Sequence, residues 1–169
     1  AKGATGTQAS FLSLLGTAQK VRKLDMGVAK KMGFSRVFPV TGQTYTRKVD
    51  SQIFNALSGI AESAHKFSND MRLLQHMGEI QEPFGKKQVG SSAMAYKQNP
   101  MKTERMTSLS RLVMVLSQNG AFTAANQWFE RTLDDSAGKR IAFPEAFLAV
   151  DAILSLFHTT VSGLLVHKE

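Results

Sequence analysis

Cysteine is absent from the 169 residues, so disulfides, cysteine-ligated zinc, iron–sulfur clusters and thiol catalysis are excluded. Polar aromatics are scarce: one Trp and two Tyr leave little to stack on nucleic-acid bases. Four Pro and 13 Gly are too few for a collagenous, low-complexity or disordered chain. Strand alternation with β-branched enrichment is missing throughout, so an all-α fold is expected. No apolar run approaches the roughly 18 residues a membrane span needs, because Asp151 and His158 interrupt the best stretch. No basic-plus-apolar signal segment opens the chain. It starts at Ala1 and not at a methionine, so it reads as an excised piece of something longer.

Acid is also short, with 13 Asp and Glu against 21 Lys and Arg. The excess is concentrated in residues 20–48, where Lys20, Arg22, Lys23, Lys30, Lys31, Arg36, Arg47 and Lys48 face Asp25 alone. Such a cluster fits nucleic acid, a membrane surface, an acidic ligand or a plain solvated helix face. Apolar residues make up 43%, enough for a single domain at this length.

Helical periodicity dominates. Val49, Ile53, Ala56, Ile60, Ala64, Phe67, Met71 and Leu74 form one stripe at spacings of three and four, which predicts a long helix. Phe147, Val150, Leu154, Phe157, Val161 and Leu164 predict another, with Pro144 in its first turn. A third opens at Asn99-Pro100, with Asn99 as N-cap, and carries the stripe Met106, Leu109, Val113 and Leu116. Shorter helices over 7–15 and 19–32 are separated by Gly16. Stripes this long seek partner helices, which predicts a homo-oligomeric helical core.

Between the Val49–Leu74 stripe and the helix that opens at Asn99-Pro100 lies an aperiodic stretch, residues 78–100, expected to be a long loop. Loops beyond about 12–15 residues without structure of their own are often functional. This one contains GSSAMAYKQNP at 90–100, followed by MKTER. The run resembles the signature loop of the fumarase/aspartase superfamily, GSSxMPxKxNP, with Ala95 where that pattern has proline. TGTQASF at 5–11, TGQTYTRKVD at 41–50 and QWFERTLDDSA at 127–137 are similar to the adenylosuccinate lyase family within it. The resemblance runs over essentially the whole chain.

What the resemblance implies is specific. The fold would be a long-helix bundle, the single central domain of that superfamily over residues 1–169, packed into a homotetrameric core with active sites shared between subunits. The family's N-terminal and C-terminal domains, and its two catalytic histidines, would lie outside it. The reaction would be elimination of fumarate from adenylosuccinate, giving AMP, and from succinyl-aminoimidazole-carboxamide ribotide in purine biosynthesis. It would run in the cytoplasm, without metal or cofactor, on a small anionic nucleotide and with neither nucleic acid nor membrane as partner.

Ser91 matches the family's base, Lys97 the cation beside it, and Glu104 the carboxylate that orients a histidine. A serine is a base only where a cation and N–H groups stabilise its alkoxide. Gln43, Ser92, Met94, Asn99, Arg131, Ser136 and Arg140 match substrate-binding positions, and Arg105 another arginine near the site. Guanidinium suits phosphate because it offers two parallel N–H bonds. None of His65, His76, His158 or His167 matches a catalytic histidine, so the chain alone is expected to be inactive. A loop that closes over ligand would be weakly ordered from Glu82 to Gln98 without it. Two other readings stay open: a non-catalytic oligomeric core, and a basic helical nucleic-acid-binding domain.

Overall fold

The computed structural model describes residues 1–85, 88–94, 96–129 and 133–168. Among them the helices are α1 (Ala9–Leu15), α2 (Ala18–Lys31), α3 (Lys48–His76), α4 (Met101–Asn126) and α5 (Asp135–Ser162). Two short strands, β1 (Ile80–Gln81) and β2 (Leu165–Val166), pair antiparallel with Ile80 opposite Val166. The fold is the expected all-α one; this single rung, at two residues per strand, is too short to show a period of two.

The small N-terminal unit follows local chemistry. Gly16 takes the left-handed conformation (φ 78°), and its N–H closes α1 on the Leu12 carbonyl at 2.8 Å. Glycine adopts that conformation without steric cost. Thr17 then caps α2 by accepting the Lys20 N–H. These two helices pack on each other, and among the described residues neither packs against the three long ones.

α3, α4 and α5 form the bundle. Its core is Phe54, Leu57, Ala61 and Ala64 from α3, Val113 from α4, and Ala142, Ala146, Ala149, Val150 and Ile153 from α5. The stripe expected on α4 is where it should be: Met106 and Val113 are fully buried, with Leu109 and Leu116 packed beside the core. The other two stripes are displaced. On α3 the buried line runs Phe54, Leu57, Ala61, Ala64, Ser68, Met71, sharing only Ala64 and Met71 with the expected one, while Ile53, Ile60 and Leu74 are exposed. On α5 only Val150 of the expected stripe is buried; Phe147 and Leu154 stay about half exposed at 51% and 49%.

The reason is the closeness of the helices. Gly120 on α4 sits so near α3 that an added Cβ would lie 2.5 Å from Phe54 Cδ2 and 3.2 Å from Ser51 Cα. At such an approach small side chains line the contact and large apolar ones are pushed outward. The same surplus makes α5 long and apolar enough, by length and composition alone, to cross a membrane, contrary to the sequence expectation. Pro144 is another correction: α5 starts at Asp135, so this proline is inside the helix, where it removes one backbone donor.

Gly120→Ala is expected to lower stability by about 1–3 kcal/mol, since overpacking a tight contact outweighs alanine's better helix propensity. Thermal unfolding followed by circular dichroism measures it; a rise in Tm would show that Phe54 can move aside freely.

Candidate active site

Two polar clusters lie at opposite ends of α3. The first is built where α3 ends and α4 begins. The last turns of α3 bring Asn69, Arg72, Gln75 and His76 to a cavity of about 640 Å³, and the chain from Lys97 to Pro100 and Glu104 of α4 close its other side. Lys97, Asn99 and Glu104, chosen from sequence, are thus gathered in one place. Arg72 Nη2 stands 4.0 Å from Glu104 Oε1, a loose pairing between exposed groups that leaves both able to turn toward a ligand.

Ser91 is on the loop and not among the residues that line this cavity, nor are the exposed Ser92 and Met94. The Ser91 Oγ accepts the backbone N–H groups of Ala93 and Met94, each at 3.3 Å. Both donors would strengthen on an alkoxide, because charge-assisted hydrogen bonds exceed neutral ones. Gly90 allows the loop to fold back, since a Cβ there would lie 1.9 Å from the Lys97 carbonyl oxygen. Asn99 Nδ2 donates to the Gly90 carbonyl at 2.9 Å and pins that crossing. Asn99 is therefore not the expected cap of α4, which begins at Met101 without a side-chain cap from Pro100. Ala95 lies outside the described residues.

The two ends of the loop are tied to each other and to the helices that flank them. Glu82 is buried, and its carboxylate accepts Lys102 N at 2.9 Å, Thr103 N at 3.0 Å and Thr103 Oγ1 at 3.2 Å. Gln75 Oε1 accepts the Glu82 N–H at 3.0 Å, and Gln75 Nε2 donates to the Gln98 carbonyl at 3.2 Å. Lys102 Nζ also bonds the Pro83 carbonyl.

The second cluster lies where α3 begins and α5 begins. Arg47 pairs with the buried Asp135 at 2.7 Å. Lys139 pairs with Asp50 at 2.7 Å, and Tyr45 donates to the same carboxylate at 2.8 Å. Burial opposes the charge on Lys139, but its bonds to Asp50 and Tyr45 outweigh this and hold its pKa above the usual lysine value. Beside them Arg140 Nη1 donates to Ser136 Oγ at 2.7 Å, and both line a cavity of about 470 Å³. Gln43 is exposed on the strand of chain entering α3 at this end, and Arg131 lies outside the described residues. The 29 residues of α3 hold the two clusters about 40 Å apart at 1.5 Å per residue.

Comparison with known proteins gives the family. A family model described as lyase matches residues 8–115. The chain belongs to the lyase family. Among curated relatives, the adenylosuccinate lyase of Saccharomyces cerevisiae is 53% identical over 99% of this chain and 35% of its own length. That of Schistosoma mansoni is 55% identical over the same shares, and that of Bacillus subtilis 34% over 84% of this chain and 33% of its own. The chain spans about a third of these relatives. A crystal structure of 3-carboxy-cis,cis-muconate lactonizing enzyme from Pseudomonas putida superposes with a TM-score of 0.76 over 98% of this chain and 36% of that one, at 24% identity. That match shows the helical-bundle fold of this chain.

The sequence pattern alone did not single out Arg72, Gln75, His76 and Glu82 at the loop end. Asn69, Arg72 and His76 do recur at spacings of three and four on α3, a polar counterpart to the apolar stripe that could have revealed them. Glu82 carries no such signal. Of the histidines, it is His76 that reaches the cavity, whereas His65 is occupied locally with Asn69 at 3.2 Å.

Two outcomes are expected at the α5 end. Arg47→Ala leaves Asp135 buried without its cation and costs about 3–5 kcal/mol by denaturant unfolding; a loss below about 1 kcal/mol would mean that water already reaches the carboxylate. A raised lysine pKa stabilises fully below the unfolded value, 10.5 for Lys139, and the gain is lost as pH rises through the folded value. The Tm gap between the native chain and Lys139→Met is therefore constant near neutral pH and narrows only above about pH 10.5.

Proposed function

We propose that the chain supplies the base loop and the anion-binding end of an enzyme that eliminates fumarate from adenylosuccinate, and from succinyl-aminoimidazole-carboxamide ribotide, in the cytoplasm. The observation that carries this reading is the Ser91 hydroxyl, held by two backbone N–H groups within the GSSAMAYKQNP loop. The names of its relatives support the choice of substrate. In the reaction Ser91, as alkoxide, takes the proton from the carbon beside a substrate carboxylate. The electron pair left behind forms the C=C bond of fumarate as the C–N bond breaks. The departing nitrogen takes a proton from an acid outside this chain. Lys97, Asn99, Ser92 and Met94 receive the succinyl part, where charge grows on the carboxylate and fixed donors act most strongly. Glu104 orients a histidine brought by another segment.

Gln43, Ser136 and Arg140, with Arg131, take the rest of the anionic nucleotide. Gln43, Ser136 and Arg140 lie at the end of α3 opposite the loop, a helix length of about 40 Å away, too far for one small molecule to span. The complete site therefore uses the loop end of one copy and the α5 end of another. A homotetramer brings such ends together, and the exposed faces of α3 and α5, with Ile53, Ile60, Phe147, Leu154 and Phe157, are what a second copy covers. The isolated chain, lacking the acid, is an oligomeric core without turnover.

Fumarate release from adenylosuccinate is the test. The full-length protein is expected to turn over, Ser91→Ala to lose about 10²–10⁴-fold, and the isolated chain to show nothing. Full-length Ser91→Ala and Arg140→Ala, each inactive, are then dissociated together and reassembled. Recovered activity shows that one site draws on two copies; none shows that each copy builds its own.

A further inference from the structure

Among the described residues Glu82 is the most deeply buried acid, 1% exposed, and the elimination chemistry gives it no part. Its three accepted bonds all come from the first turn of α4, through Lys102 N, Thr103 N and Thr103 Oγ1. Helix starts leave N–H groups unsatisfied, and the usual remedy is the side chain just before the helix. Here Pro100 offers none, and Asn99 is spent on the Gly90 carbonyl. The cap comes instead from the far side of the loop. Its backbone is held in turn: Gln75 of α3 accepts the Glu82 N–H and donates to the Gln98 carbonyl. One carboxylate and one amide thus tie four places together: the end of α3, the start of the loop, the end of the loop and the start of α4.

From this geometry we infer that Glu82 is a positioning residue for the base loop. It sets the register between the segment carrying Ser91 and Lys97 and the helix carrying Glu104, without touching substrate itself. The inference rests on the elimination reading above. A misplacement of about 1 Å costs on the order of 10²-fold in rate, so a clamp at the loop's mouth acts on turnover more than on binding of the distant anionic end.

Glu82→Gln in the full-length protein keeps the size but turns an amide N–H₂ toward one of the backbone donors. It is expected to lower kcat about 10²-fold with KM changed less than about threefold. Thr103→Val removes only the hydroxyl, keeps both backbone bonds and stays within about threefold of native kcat. Amide hydrogen exchange reads the loop without substrate: in Glu82→Gln it rises at least about tenfold at Ala93 and Met94, the donors to Ser91, and is unchanged at Ala149 and Val150 in the core of α5. A cap that only stabilises the fold would raise exchange at all four positions and leave kcat per folded enzyme unaltered; either result overturns the assignment. If the native protein releases no fumarate, the elimination reading fails, and the contrast between loop and core amides still decides whether Glu82 positions the loop.

Discussion

The close approach of α3, α4 and α5 sets nearly everything else in this molecule. Ala61, Ala64, Ala142, Ala146 and Ala149 fill the contact, and Gly120 has no room for one more carbon beside Phe54. Packing at this density gains its stability from many short contacts rather than from large buried side chains. Its consequence is an apolar surplus on the outer faces of α3 and α5. One helix set therefore has two kinds of apolar surface: a small-residue one that closes within the chain and a large-residue one that stays exposed on the outside.

Rigid helices of 26 to 29 residues also work as spacers. They keep the loop end and the α5 end apart, and each end has its own anchoring. At the loop end the anchors are hydrogen bonds from buried or half-buried groups, Glu82, Gln75 and Asn99. At the other end they are ion pairs around Asp50 and Asp135, with Arg47 and Lys139 also lying over the Tyr45 ring at 4.9 and 4.8 Å. Between these tied ends the side chains of Ser92, Met94 and Lys97 are exposed.

Much of the site was legible because a signature loop is read from consecutive residues. Lys97, Asn99 and Glu104 do converge on one cavity, and Ser91 does collect N–H donors from its own turn. Arg72 and His76 were legible in principle, by their spacing on α3. The stripes of α3 and α5 misled for a physical reason. Periodicity weights a position by how apolar it is, and isoleucine and phenylalanine outscore alanine, yet the inner face of a tight bundle takes the smaller residue. α4 was read correctly because its inner face carries Met106 and Val113, which are apolar and fit.

By itself the sequence determined that the long elements are helices, the break between α1 and α2, and the turn at Ser91, since each depends on residues within a few positions of one another: Gly16 and Thr17 between α1 and α2, Ser91 with the two amides after it. Only the tertiary structure decided which faces of α3 and α5 are the inner ones, that Glu82 caps α4 across the loop, that β1 and β2 meet, and that the two polar clusters stand a helix length apart. Those depend on distances between segments remote in the chain. Such distances are set by side-chain volume and by the need to satisfy every buried polar group, which no local pattern records.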